Sequence, residues 1–426
     1  MFKELVNKFS NISAKMSLGT ITLIVIFGVY NLPGSTIIFR NQKQHKLAQK
    51  ADKNTINKLV AANNKFGFQI FSEIQKSQSD KNVFISPISI AIALSMTYNG
   101  AAGKTQEAMA KTLNFEGMSL EEINQANQDL GILLNSLNPE IKLNIANSIW
   151  TRKGSSFYPS FIQINQEFYQ SQVREIDFND PNSPKIINNW VKDKTEGKID
   201  KIIQEFKSNV VMLLLNAIYF KADWEQPFSE DSTKNMPFYL ANGTQKQHPI
   251  MFQSSMNLYY ENEDFQLVSL PYKKGRVSMY IFLPKEQVGL EKFYQSLNEE
   301  NLKNWLKQLT LNKINLGLPK FKTEYEVTLN DLLKSLGMEI AFNSSADFSK
   351  MLPIPPNLYI DEVKHKTFVE VNEKGTEAAA VTSVTGGARS SPIPIEMLVN
   401  RPFFFAIRDD ESGAILFMGA ITNPEN

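Results

Sequence analysis

Few side chains in this sequence are equipped for covalent chemistry. It has no cysteine and three histidines, His45, His248 and His365, which excludes thiolate catalysis and leaves little material for a histidine-based metal or acid/base centre. Neither G-x-S-x-G nor H-E-x-x-H occurs, so the two commonest hydrolase signatures are absent. We therefore expect no catalytic residues, no metal and no cofactor. The residues that stand out lie in 373–402, EKGTEAAAVTSVTGGARSSPIPIEMLVNRP. In extended conformation Thr376, Ala378, Ala380, Thr382 and Val384 share one face, and Glu377, Ala379, Val381, Ser383 and Thr385 share the other, which carries the sole charge. Gly386 and Gly387 then loosen the backbone, and Pro392 and Pro394 forbid a central strand beyond. Between Lys374 and Arg401 the single cationic side chain is Arg389. The stretch reads as a strand held in reserve, with a charged side chain beyond it.

The rest of the chain bounds what such a strand can serve. With 426 residues, 42% hydrophobic and 21% charged, the chain is globular and long enough for a large core. A net charge of +1 argues against nucleic acid as a partner. At the N-terminus Lys3, Lys8 and Lys15 precede an apolar run over residues 18–30 that extends, with Asn31, Pro33 and Gly34, to Phe39. The basic flank favours a signal peptide, or a membrane anchor close to the ~20 residues that cross a bilayer, over a buried core strand or helix. Residues 1–40 are assigned to that segment, 41–54 to a polar tether and 55–426 to the folded domain.

Within the domain, apolar spacing predicts a helix over 56–74, a strand over 83–85 and a nearly uncharged, hence buried, helix over 88–98 opened by Ser86 and Pro87. Thr105 is read as the cap of a helix toward Leu113, and helices follow over 119–137, 159–169 and 184–195. The run VVMLLLNAIYF, 210–220, is too short to span a membrane and predicts a central strand buried on both faces. Asn216 interrupts it, and a buried amide requires a partner. Strands are expected near Leu258 and over 266–272, 276–283, 314–321 and 358–371, helices over 291–309 and 326–336, and a terminal hairpin over 401–426.

Several blocks then match a known family together and in order. EKGTEAAA at 373–380, MLVNRPFFFAI at 397–407, ILFMGAITNP at 415–424, NVFISPISIAIALSMTYNGAAGKT at 82–105, LLLNAIYFKADWEQPF at 213–228 and LPKF at 318–321 resemble the serpins. The resemblance implies an α+β serpin fold of three β-sheets and eight or nine helices with an exposed reactive loop, and a monomer. It implies a suicide-substrate inhibitor: a protease cleaves the loop, the acyl-enzyme forms, and the cleaved strand inserts into the central sheet. Family spacing places the scissile bond at Arg389–Ser390, and an arginine there selects trypsin-like serine proteases. The hinge is Glu373, Lys374, Gly375, Thr376, Glu377, Ala378, Ala379 and Ala380, with Gly375 expected to permit the backbone turn. Ser86, Ser89, Asn216 and His365 match the family's shutter cluster beneath the sheet, which gives Asn216 a partner in His365. Trp224, with the Lys320–Glu373 ion pair, matches the breach where insertion starts. The alternatives are a non-inhibitory binding or chaperone protein of the same fold, and an inhibitor of a cysteine protease. The N-terminal segment points to an extracellular or extracytoplasmic location, secreted or membrane-anchored, with membrane attachment as one outcome.

Overall fold

The 12-residue strand β4 (Met212–Asp223) is buried along nearly its whole length, as its apolar sequence requires. Its side chains alternate between two cores: Leu214, Ile218, Phe220 and Ala222 join a large one, while Leu213, Leu215, Ala217 and Tyr219 join a smaller one. A strand covered on both faces has no use for polar alternation, which explains the unbroken run. We describe the chain from a computed structural model, which covers residues 53–137, 140–206, 210–353, 358–376 and 393–425. The N-terminal segment and residues 41–52 of the tether lie outside these residues, as do Glu377, Ala378, Ala379, Ala380, Arg389 and Ser390, whereas Lys53 and Asn54, assigned to the tether, are the first two residues of a helix. No helix among the described residues is long and apolar enough to cross a membrane.

β4 pairs antiparallel with β2 (Lys142–Arg152), which pairs parallel with β3 (Gln172–Ile176). On its other side lies β11 (Glu362–Asn372), parallel to β4 from Glu362↔Leu213 to Phe368↔Tyr219, and β10 (Phe321–Thr328) closes that flank. Above Phe368 the two parallel strands admit a short third one, β12 (Gly375–Thr376), between them. This six-stranded sheet faces a nine-stranded one in the order β1 (Val83–Ile85), β15 (Ile415–Ile421), β14 (Phe403–Asp409), β8 (Val277–Pro284), β7 (Phe265–Pro271), β6 (Gln245–Glu261), β9 (Thr310–Pro319) and β13 (Ile395–Leu398), with β5 (Lys234–Tyr239) beside β6. The two smaller sheets of the expected three are joined here through the 17-residue β6, which pairs first with β5 and β9 and at its end with β7.

Nine α-helices lie among the described residues: α1 (Lys53–Gln78), α2 (Pro87–Tyr98), α3 (Gly103–Thr112), α4 (Leu120–Asn135), α5 (Pro159–Tyr169), α6 (Ser183–Lys194), α7 (Gly289–Ser296), α8 (Glu299–Lys307) and the single turn α9 (Asn330–Leu333). α2 is buried on every side and starts where Ser86 and Pro87 predict. α4 opens with a capping box: Ser119 accepts from the Glu122 amide at 3.2 Å and Glu122 accepts from the Ser119 amide at 2.7 Å.

Three local expectations are corrected. Thr105 does not cap α3; it lies inside the helix, fully buried, and its Oγ1 accepts from the Asp347 amide at 2.9 Å. The helix expected over 291–309 is two, because Asn298 takes up extended backbone and caps α8 by accepting from the Asn301 amide. The helix expected over 326–336 starts only at Asn330, since Phe321–Thr328 alternates strictly buried and exposed and pairs with β11 throughout. Period-two burial against a neighbouring strand outweighs the helix preference of glutamate.

Gly419 shows how tightly the large core is built. It lies opposite both Phe84 and Phe405, whose rings stack 5.6 Å apart. A Cβ at 419 would stand 2.5 Å from the Val83 carbonyl oxygen and 3.0 Å from the Phe405 ring. Backbone cannot retreat as a flexible side chain can. Gly419→Ala is expected to lower unfolding stability by about 1–3 kcal/mol, the usual range for overpacking, read as a lower midpoint in urea.

Candidate functional site

The site consists of the seam between β4 and β11 and the hinge that enters it from above. Along the seam, register places Asn147 of β2 opposite Asn216 of β4, and Asn216 opposite His365 of β11. All three are buried, and their side chains bond in sequence: Asn216 Nδ2 donates to Asn147 Oδ1, and Asn216 Oδ1 meets His365 Nδ1. The N-terminus of α2 closes the cluster from below. The Ser86 amide donates to His365 Nε2 at 3.1 Å, Asn216 Nδ2 donates to the Ser89 carbonyl at 3.1 Å and to Ser89 Oγ, and Ser86 Oγ donates to the Leu416 carbonyl at 2.6 Å.

These bonds fix the state of the histidine. Because Ser86 donates to Nε2, that nitrogen is the bare one, and Nδ1 carries the proton given to Asn216. Burial pushes the His365 pKa down to about 3, since a charged imidazole would lose its water. The ring is therefore a neutral connector rather than an acid or base. The structure brings Ser86, Ser89, Asn216 and His365 together, with Asn147 added. Nothing local marks Asn147; its position opposite Asn216 follows only from strand register.

At the head of the sheet the chain turns back on itself. Asn372↔Gly375 and Val371↔Thr376 form a hairpin around Glu373 and Lys374, and the returning strand pairs on its far side with Asp223 and Ala222. The turn is held by the Trp224 amide to the Lys374 carbonyl at 2.8 Å, the Phe228 amide to the Glu373 carbonyl at 2.8 Å and Trp224 Nε1 to the Asn372 carbonyl at 3.0 Å. Glu373 is buried; its carboxylate meets Lys320 Nζ at 3.0 Å and accepts from Thr233 Oγ1 at 2.8 Å. Burial disfavours its charge, yet the Thr233 and Lys320 bonds outweigh that and hold the carboxyl below its ordinary range. The pair is thus not of the exposed, weakly contributing kind. Thr233 carries no sequence signal for this role.

Gly375 has a second reason beside the backbone freedom expected of it. The turn residues are Glu373 and Lys374, whereas Gly375 is the first residue of the inserted strand. A Cβ there would lie 2.2 Å from the Ala222 carbonyl oxygen and 2.7 Å from Asp223 Cα. Glycine suits this position twice over: its φ of +159° directly after the turn is one that L side chains rarely adopt, and β4 lies too close for a Cβ. Beyond the loop, Ile395–Leu398 pairs in parallel with β9, so the two ends of the reserved stretch are anchored in different sheets.

With this geometry in place, comparison with known proteins decides the family. The family model described as "Serpin (serine protease inhibitor)" matches residues 61–424. The chain is a serpin. It is 37% identical over 378 residues to an uncharacterized serpin-like protein of Thermococcus kodakarensis, covering 86% of each chain. It is 35% identical to the leukocyte elastase inhibitor of Homo sapiens, covering 86% of this chain and 99% of that one. Among solved structures it resembles the thermophilic serpin tengpin in its native state, with a TM-score of 0.80, 34% identity and coverage of 88% and 95%. It also resembles human thyroxine-binding globulin in complex with thyroxine, with a TM-score of 0.82, 29% identity and coverage of 87% and 100%. Most relatives of known role in this family are protease inhibitors, but the thyroxine-binding neighbour is named for a ligand instead.

The neutral histidine of this serpin makes a prediction about acid. The unfolded chain takes up a proton near pH 6.5 and the folded chain refuses it down to about 3, so stability falls as pH drops through that window and is unaffected above it. The expected slope is about 1.4 kcal/mol per pH unit for this one group. Urea unfolding at pH 7.5, 5.5 and 4.5 should show it, and His365→Gln should flatten it; an equal slope in the variant would assign the acid sensitivity to other groups.

Proposed function

We propose that this serpin inhibits trypsin-like serine endopeptidases by covalent trapping, with Arg389–Ser390 as the bond attacked. The protease serine oxygen adds to the Arg389 carbonyl, and the amine of Ser390 leaves with a proton, so that Arg389 remains esterified to the enzyme. The freed strand then enters the six-stranded sheet. Arg389 supports the trypsin-like choice through pairing with a carboxylate in the specificity pocket.

The observation that carries this reading is the register of β12. Thr376 is flanked by Val371 and Ala222. Stepping down from it, Ala378 would be flanked by Val369 and Phe220, Ala380 by Thr367 and Ile218, and Thr382 by His365 and Asn216. The last two flanking pairs are already register partners across the seam. A new strand would part β4 from β11 without either slipping. Thr376 itself is fully buried, so small residues on its face would follow it into the core, and Glu377, Ser383 and Thr385 would face the other way.

A non-inhibitory member of the fold has no need of this match between the loop's small face and the seam. Ser86, Ser89, Asn147, Asn216 and His365 would then control when the seam opens, and Trp224, Lys320 and Glu373 where it opens. The apolar run over residues 18–39 supports an extracytoplasmic location, secreted or tethered to a membrane.

Trypsin incubated with the protein is expected to give a covalent complex that survives denaturation, together with a C-terminal fragment beginning at Ser390. Cleaved protein beside fully active trypsin would overturn the inhibitory reading, and a different new N-terminus would relocate the bond. Thr376→Arg should be cut as a substrate with loss of trapping, because its charge would have to enter the core.

A further inference from the structure

Two hinge residues, Gly375 and Thr376, are paired into the sheet before any cleavage, and the second of them meets a side chain from outside the hinge. Tyr272 is fully buried, its ring stacked on Trp224 at 4.6 Å with planes 12° apart. Its hydroxyl bonds to Thr376 Oγ1 at 2.6 Å. The backbone on both sides of Tyr272 is fixed as well: its amide donates to the Val277 carbonyl, and it forms an isolated bridge with Trp224. The phenol is therefore a rigid post aimed at one hydroxyl of the hinge.

We infer that the resting protein has already made the first step of strand insertion, and that Tyr272 is the positioning residue that keeps it made. If Thr376 leaves the sheet, a buried phenol loses its partner; if Tyr272 lacks its hydroxyl, the docked Thr376 hydroxyl is buried unpaired and the docked state alone suffers. Docking matters because a strand is hardest to start: its first residues are ordered before later pairs repay them, as in helix nucleation. A hinge docked at rest lets insertion proceed by extension as soon as the loop is cut. Insertion then competes better with hydrolysis of the acyl-enzyme, which releases the protease.

The kinetic half of this inference rests on the inhibitory reading; the docking half does not. Hydrogen exchange of the Gly375 and Thr376 amides, followed by mass spectrometry on the intact protein without protease, tests docking by itself. Tyr272→Phe is expected to exchange there about tenfold faster, the effect of one lost buried hydrogen bond, and Thr376→Val likewise. Thr376→Ser, which keeps the hydroxyl, should stay near the unmodified rate. Unchanged exchange in both Tyr272→Phe and Thr376→Val overturns the latch. In reactions with trypsin, Tyr272→Phe should raise the fraction of inhibitor that ends as cleaved, untrapped product several-fold. Faster exchange with an unchanged fraction overturns the link to insertion. If the unmodified protein is only cleaved, the inhibitory reading fails, and the exchange result still decides whether the hinge is latched.

Discussion

The structure depends on a seam that holds β4 against β11, and the proposed inhibition requires that it also be able to open. β4 and β11 are parallel neighbours at the centre of a six-stranded sheet, with side chains committed to two cores at once. Strands in that position are normally inseparable, because parting them exposes apolar surface on both faces and leaves a ladder of amides unpaired. The exception is a strand of matching register that replaces every lost bond. Here the two flanking strands keep one constant offset from Glu362↔Leu213 up to the hinge. A third strand can therefore enter without any slip, and the rest of the sheet need only move sideways.

The two ends of the seam are built from different chemistry, and the difference suits what each must do. At the head, a carboxylate, an ammonium and a hydroxyl meet around Glu373, and these bonds hold the turn from which the hinge returns. Lower down, the cluster is made of amides, hydroxyls and one neutral imidazole. Such groups both donate and accept, so an incoming backbone can be taken into the network without stranding a charge. An ion pair at Asn216 and His365 would have resisted separation far more strongly once buried. Neutrality of His365 is thus a consequence of burial that also fits the proposed opening of the seam.

What was legible in the sequence follows from whether a residue's role is local. β4 was legible because eleven nearly unbroken apolar residues leave few alternatives, and α2 because Ser86 and Pro87 mark its start. The cluster of Ser86, Ser89, Asn216 and His365 was reached through family resemblance rather than spacing, since its members come from distant parts of the chain. Asn147, Thr233 and Tyr272 stayed hidden for a related reason. An asparagine in a strand, or a tyrosine after a proline, acquires meaning only from what lies across the sheet. Gly375 was legible only in part: glycine before a small-residue run suggests backbone freedom, which its φ of +159° uses, but the Ala222 carbonyl 2.2 Å from where a Cβ would stand is visible only in the structure. Residues 321–328 were partly mistaken for helix because three glutamate and threonine positions face water, and their alternation becomes decisive only once β11 is beside them.

Register also explains why the docked hinge carries a threonine rather than another small residue. A strand has a side-chain period of two, so a slip of one residue turns every inward side chain outward. In this loop such a slip would bring Glu377 toward the core in place of Thr376. The sheet could not reject that arrangement by backbone bonding, which is the same in either register. Rejection must come from side chains, and the first inward position is where it is most effective. Tyr272 offers a hydroxyl to that position inside an otherwise apolar corner formed by Phe220 and Trp224. Threonine satisfies it, is small enough to fit between Val371 and Ala222, and favours extended backbone. A carboxylate there would lose its water with no cation to meet it, a cost of several kcal/mol. One buried hydroxyl pair therefore sets the register for the strand that would follow.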